Sequence, residues 1–228
     1  VITVVTWLYS CPRELLTPQG NKERRVYTPA HVNNVLKMLD RWMDWQFEMV
    51  CVTDDPEGLD PRIKPFPMPS VDFNNKDLDP RYPACHRILW MFSKEAAVLG
   101  DRLFKVDLDD VITGPLSPLV GRQEPLVVAR KGKQILGCTY LITPGAYAHV
   151  WEEFEQQKGK LPASDQEWMN HMLSPNTPSF GPEHYLVPIP GTQQLPSGTS
   201  IAAFGTYYKP WHKEAQARNP WIKDFYPL

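Results

Sequence analysis

The sequence predicts an α/β fold: a single domain, Rossmann-like, with a mostly parallel central sheet flanked by helices. Three observations carry that expectation. The first 53 residues read as strand, helix, strand, the unit that builds parallel sheets. A second helix then leads into an apolar strand that ends in Asp107-Leu108-Asp109-Asp110. The remaining segments mix strands and helices with no internal repeat, in a 228-residue chain long enough for one sizeable core.

The elements follow in order. Residues 1–6 form a continuous apolar run rich in β-branched side chains, the mark of a buried strand. Residues 10–27 carry Pro12, Pro18, Gly20 and the basic set Lys22, Arg24 and Arg25, and read as a polar loop. Thr28-Pro29 starts a helix, with Thr as cap and Pro in the first turn. Val32, Val35, Leu36, Leu39, Trp42 and Met43 keep helical spacing to about residue 44. Residues 47–53 are a second strand, closed by Asp54, Asp55 and a Pro-Glu-Gly turn. Residues 56–82 are rich in Pro and Asp and predict little regular structure. A helix is expected over 83–99, ended by Gly100. Strands follow at 104–106, 126–130 and 135–142, and a helix over about 145–157. Ser164 caps a further helix, with Glu167 three residues later. Residues 174–199 are loop-rich around a strand at 184–189, residues 201–204 are a last strand, and the tail is aromatic.

The acidic strand end is the centre of this chain. In an extended segment Asp107 and Asp109 project to one side, and two carboxylates there call for a cation between them. Mn²⁺ or Mg²⁺, hard ions that take oxygen ligands, would suit. Taken alone, so short a pattern also fits a turn with solvated acids. Parallel sheets bind ligands beyond the carboxyl ends of their strands. Trp7 to Tyr9, Asp54 with Asp55, and Asp107 with Asp109 all fall at such ends, so they are expected to face one crevice.

Composition narrows the function classes. Apolar residues make up 42% and charged residues 22%, as in an ordinary water-soluble domain, and the net charge of -2 gives no global attraction to nucleic acid or anionic membrane. The 24 prolines are spread between apolar runs and punctuate loops. The four cysteines, Cys11, Cys51, Cys85 and Cys138, form no C-x-x-C pair, and a reducing, cytoplasmic setting is expected. No run reaches membrane-helix length, and residues 1–9 lack the cationic flank of a signal peptide.

Four ordered motifs resemble those of GT-A fold glycosyltransferases, most closely the retaining, family 8-like group related to galactosyltransferases and glycogenin. Val106-Asp107-Leu108-Asp109-Asp110-Val111, with residues 114–119 after it, is similar to that group's D-x-D strand end. Cys85-His86-Arg87-Ile88 is similar to its Y-A-R-L, Ser164-Asp165-Gln166-Glu167 to its D-Q-D element, and Lys209-Pro210-Trp211-His212 to its K-P-W. Together the motifs cover most of the chain. Two departures stand out. Ala203 occupies the position of a metal-ligand His six residues before the Lys, and Gly137-Cys138-Thr139 replaces an Asn-Ser-Gly-like segment.

The resemblance implies a UDP-sugar donor, residues 1–120 as a nucleotide-binding half, and residues 121–228 as a sugar and acceptor half with a closing C-terminal segment. It implies Asp109 and Asp107 as metal ligands, Asp107 also reaching ribose or sugar hydroxyls, and His212 as a substitute third ligand. Lys209 would pair with the diphosphate and Arg87 with donor oxygens. Asp165 would hold sugar or acceptor hydroxyls, and Gln166 would lie near the anomeric carbon. Trp7 and Tyr9 would flank the nucleobase, and Asp54 or Asp55 would accept from base or ribose. The expected acceptor is a saccharide. A hydroxylated nucleobase in nucleic acid is the alternative, motivated by Lys22, Arg24, Arg25, Arg130, Lys131 and Lys133. Two other functions remain open. A nucleotidyltransferase would share the sheet and paired acids, although no Gly-rich phosphate loop follows the first strand. A non-catalytic sugar-nucleotide binder would be consistent with Ala203.

Overall fold

The computed structural model describes residues 1–9, 27–70, 85–157, 164–188, 192–204 and 209–227. Strand β1 (Ile2–Leu8) is buried at all seven positions. Its apolar character, broken only by Thr3 and Thr6, is what a strand covered on both faces requires. Helix α1 (Pro29–Trp42) starts where Pro29 presets the first helical turn, and the Thr28 N–H donates to His31 Nδ1 at 3.0 Å. Its buried stripe includes Val32, Val35, Leu36 and Leu39. Strand β2 (Phe47–Thr53) returns parallel to β1, in register from Ile2 opposite Phe47 to Leu8 opposite Thr53.

Strand β3 (Ile63–Pro67) then adds in parallel to β2. It lies within the stretch expected to lack regular structure. Pro65 and Pro67 disguise it, yet β3 is the outermost strand, where a missing N–H is tolerated. The helix expected over 83–99 is instead two 3₁₀ segments, Cys85–Phe92 and Glu95–Leu99. They part at Ser93, whose hydroxyl accepts from the Ala96 N–H at 3.2 Å. Gly100 does end the second, at φ 145, and a Cβ there would lie 2.4 Å from Thr3 Oγ1.

Strand β4 (Leu103–Lys105) pairs in parallel with the other edge of β1. Strand β5 (Asp110–Ile112) and helix α2 (Ser117–Val120) follow. The hairpin of β6 (Leu126–Lys131) and β7 (Gln134–Ile142) joins β4 in antiparallel fashion. The main sheet therefore runs β3-β2-β1-β4-β7-β6, with its first four strands parallel. Helices α3 (His149–Gln156) and α4 (Asp165–Met172) come next. Ser164 Oγ caps α4 by accepting from the Glu167 N–H at 3.2 Å. Strand β8 (Tyr185–Leu186) is shorter than the expected 184–189, and with β9 (Ile201–Ala203) it forms a second sheet in the order β5-β9-β8. Helices α5 (Lys213–Arg218) and α6 (Ile222–Phe225) close the described chain.

Strand alternation divides the core. Val4, Phe104 and Val106 join the cluster containing the buried stripe of α1, whereas Val5, Trp7 and Leu103 join the one containing the 3₁₀ segments, Phe154 of α3 and Trp168 of α4. Cys51 is buried, and Cys85 and Cys138 are half-buried; all three are free thiols. Cys11, Lys22, Arg24 and Arg25 lie outside the described residues. Among the described residues no helix is long and apolar enough to cross a membrane.

Candidate active site

Strand β4 hands its chain to the carboxyl edge of the sheet: the Val106 N–H donates to Val5 O at 3.1 Å. The segment then turns instead of staying extended, and the Asp110 N–H donates back to Asp107 O at 3.2 Å. Asp107 and Asp109 are therefore arranged by a turn, not by strand alternation, and each meets its own ammonium group. Lys105 Nζ donates to Asp107 Oδ1, and Lys209 Nζ donates to Asp109 Oδ2. The Asp107 side chain keeps 33% of its exposure, while both members of the Lys209–Asp109 pair are buried.

Asp110 is buried beneath this pair. Its Oδ2 accepts from the Asp107 N–H at 3.1 Å and from Thr139 Oγ1 at 2.7 Å, and its Oδ1 is buried without a hydrogen-bond partner. Burial, then the charges of Asp107 and Asp109, raise the Asp110 carboxyl well above the usual range. Asp107 is pushed up to about 6, because burial and the Asp109 charge outweigh the Lys105 cation.

The tail is fastened from the opposite side. Lys209 Nζ also donates to the Tyr27 hydroxyl at 2.8 Å. The Tyr27 ring sits edge-on to Trp211 at 5.7 Å, and His31 of α1 lies 4.3 Å from Trp211. Trp211 thus anchors the Lys-Pro-Trp segment to the start of α1. Burial raises the Tyr27 phenol, with Asp109 adding to the effect.

A third group converges through β7. Lys105 Nζ donates to Gly137 O at 2.8 Å, and the Gly137 N–H donates to Gln166 Oε1 at 3.2 Å. A Cβ on Gly137 would lie 3.2 Å from Asp165 Oδ2 and 3.3 Å from Gln166 Cβ, so β7 and the first turn of α4 are in close contact. The Cys85 thiol is raised by burial and by the Asp165 carboxylate beside it. The segment carrying Arg87 therefore lies against the start of α4, with Arg87 half-buried.

The other expected residues fall differently. Trp7 is buried, and its indole N–H donates to Met91 Sδ at 3.3 Å, so it fills core and offers no open face to a base. Tyr9 is half-buried beyond β1, and Asp54 is exposed just past β2. His212 stands before α5 with its ring edge-on to Trp211. It does not join the acids: among the described residues no three His, Cys, Asp or Glu side chains converge as metal ligands. Ala203 lies in β9 opposite Asp110. Arg130 donates to the carbonyls of Lys133, Ser174 and Thr177. Sequence reasoning gave Lys105 and Tyr27 no role, and it marked Gly137 only as part of the segment that departs from the family pattern. A charge between Phe104 and Val106 was a readable signal for Lys105; Tyr27 gave none.

Solved structures place this architecture. The galactosyltransferase LgtC, in complex with donor and acceptor sugar analogs, matches with a TM-score of 0.61 over 99% of this chain and 97% of that chain, at 12% identity. The apo form of the glycosyltransferase GlyE of Streptococcus pneumoniae TIGR4 matches with a TM-score of 0.63 at 14% identity, over 99% of this chain and 60% of that one. This chain has the GT-A fold of glycosyltransferases. No protein-family profile matches the chain, and no curated protein sequence matches it.

Proposed function

We propose that the protein is a retaining glycosyltransferase that moves a sugar from a nucleoside diphosphate sugar, a UDP-sugar, to a saccharide hydroxyl. One observation carries the reading. Lys209 of the tail motif meets Asp109 of the strand-end motif 100 residues away, and the Asp165-Gln166 motif joins the same cluster through Gly137 and Lys105. Three motifs separated in sequence thus form one site beyond the parallel strands, where such folds bind ligands. The LgtC structure, which holds donor and acceptor sugar analogs, supports the substrate class.

The donor set suits a hard divalent ion. Asp107 and Asp109 set two carboxylates beside the ammonium groups of Lys105 and Lys209, all-oxygen donors of the kind such an ion takes, and Asp110, bonded to the Asp107 N–H, has an Oδ1 that is buried without a hydrogen-bond partner. Asp109 and Asp107 would hold Mn²⁺ or Mg²⁺, with the nucleotide's own oxygens completing the shell. The ion would supply Lewis-acid stabilisation of the leaving diphosphate.

The chain's residues do the rest. Residues 1–120 form the nucleotide side, where Tyr9 and Asp54 border the base and ribose. Residues 121–228 form the sugar and acceptor side. Lys209, released from Asp109, neutralises charge on the diphosphate as the glycosidic bond breaks. Arg87 and Asp165 orient sugar oxygens, and Gln166 faces the anomeric carbon. The acceptor hydroxyl attacks on the face the diphosphate leaves, and its proton passes to a departing phosphate oxygen. A thermal-shift panel of nucleoside diphosphates, with and without Mn²⁺, tests the reading. UDP is expected to raise the melting temperature most, and more strongly with Mn²⁺. A flat response to every nucleoside diphosphate would reject it.

A further inference from the structure

We propose that Lys105 is a positioning residue that ties the strand-end acid Asp107 to Gln166 on α4, through the main chain of Gly137. This inference rests on the proposed glycosyl transfer and adds a residue to its site. Lys105 is 1% exposed, in the middle of a hydrophobic sheet, between Val5 on one neighbouring strand and Tyr140 on the other. A buried ammonium is costly to desolvate, and an apolar side chain at this position would serve packing alone at least as well. What the ammonium provides is connection. Its Nζ donates to Asp107 Oδ1 and to Gly137 O at 2.8 Å, and lies 5.9 Å from the centre of the Tyr140 ring. Gly137 passes the link on through its N–H, which donates to Gln166 Oε1 at 3.2 Å.

Gly137 suits this role because it has no side chain. A Cβ would lie 3.2 Å from Asp165 Oδ2 and 3.3 Å from Gln166 Cβ, so the bare main chain lets β7 approach α4 this closely without shifting either side chain. The chain Asp107, Lys105, Gly137, Gln166 therefore fixes the distance between the group expected to hold the nucleotide end of the donor and the group expected beside its sugar. Small misplacement of the sugar relative to the diphosphate slows the chemical step without weakening nucleotide binding, because the two ends of the donor are held by different residues.

The test is a double-mutant cycle on the full chain with Lys105→Met, Gln166→Ala and the pair, read by thermal melts and by release of UDP from a UDP-sugar. The melts do not depend on activity, so they separate failure of this linkage from failure of the proposed reaction. Non-additive losses of melting temperature are expected, since each substitution breaks the same chain of hydrogen bonds. In turnover, Lys105→Met should lower kcat by about tenfold or more while the donor KM moves by less than about threefold, with the pair no slower than the worse single variant. Lys105→Arg keeps the charge and should recover part of kcat; if Lys105→Met does not fold, Lys105→Gln, which removes the ion pair to Asp107, replaces it in the cycle. Additive melting losses would overturn the linkage. So would a Lys105 variant whose donor KM rises with kcat unchanged, because Lys105 would then be a binding group and not a positioning one.

Discussion

Lys209 and Asp109 form a buried ion pair across 100 residues of sequence, and it closes the tail onto the end of β4. Removing one partner leaves the other charged and buried without compensation. Lys209→Met should therefore cost about 3–5 kcal/mol of folding stability, measured by chemical denaturation. The double variant Asp109→Leu with Lys209→Met should regain most of that loss, while UDP release from a UDP-sugar stays abolished. A double variant as unstable as the single one would show that the pair is not what holds the tail.

His31 gives a pH dependence with a definite sign. Burial lowers its pKa from 6.5, the nearby Lys209 adding to the effect, while its contacts with Thr28 and the Asp109 charge act the other way without reversing it. Its stabilising contribution is complete above the ordinary value and is lost as pH falls through the lower folded value. The structural reason is burial of the ring against Tyr27 and Trp211, which disfavours its charged form. Acidification from about pH 7.5 to about pH 5 should lower the melting temperature, and His31→Gln should reduce that drop.

Gly100→Ala probes the approach of β4 to β1. The φ of 145 and the 2.4 Å approach to Thr3 Oγ1 leave no room for a side chain. The expected loss is about 1–3 kcal/mol in chemical denaturation, with the donor KM unchanged. Wild-type stability in this variant would mean that the turn can relax.

Trp7 separates core from base contact. Its indole is buried against Met91, so Trp7→Leu should lower stability by about 3 kcal/mol and leave the donor KM within about twofold. A large rise in donor KM at wild-type stability would instead place the ring against the nucleotide.

Local rules made much of this fold legible. The β-branched run of β1, the Thr28-Pro29 start of α1, the Ser164 cap and the Gly100 stop are each short-range signals, and each appears in the structure. Strand β3 was hidden because Pro65 and Pro67 argue against a strand unless its edge position is known. The site was legible in parts. Asp109 and Lys209 each carried a motif, but their contact is tertiary, and so is the hold of Tyr27 on a lysine 182 residues away. Asp110 could equally have been exposed on sequence alone; it is buried because β9 and Thr139 close over it. His212 was offered in place of the ligand missing at Ala203; the structure sets its ring edge-on to Trp211, and among the described residues no three metal-ligating side chains converge.

The central claim is that Asp109 helps to grip the diphosphate of a sugar nucleotide. It is tested most directly by UDP release from UDP-sugars in the presence of Mn²⁺, comparing the wild-type protein with Asp109→Asn that circular dichroism shows to be folded. Turnover by the wild type and a loss of at least about a hundredfold in the variant is the expected result. Equal turnover by the two proteins would contradict it.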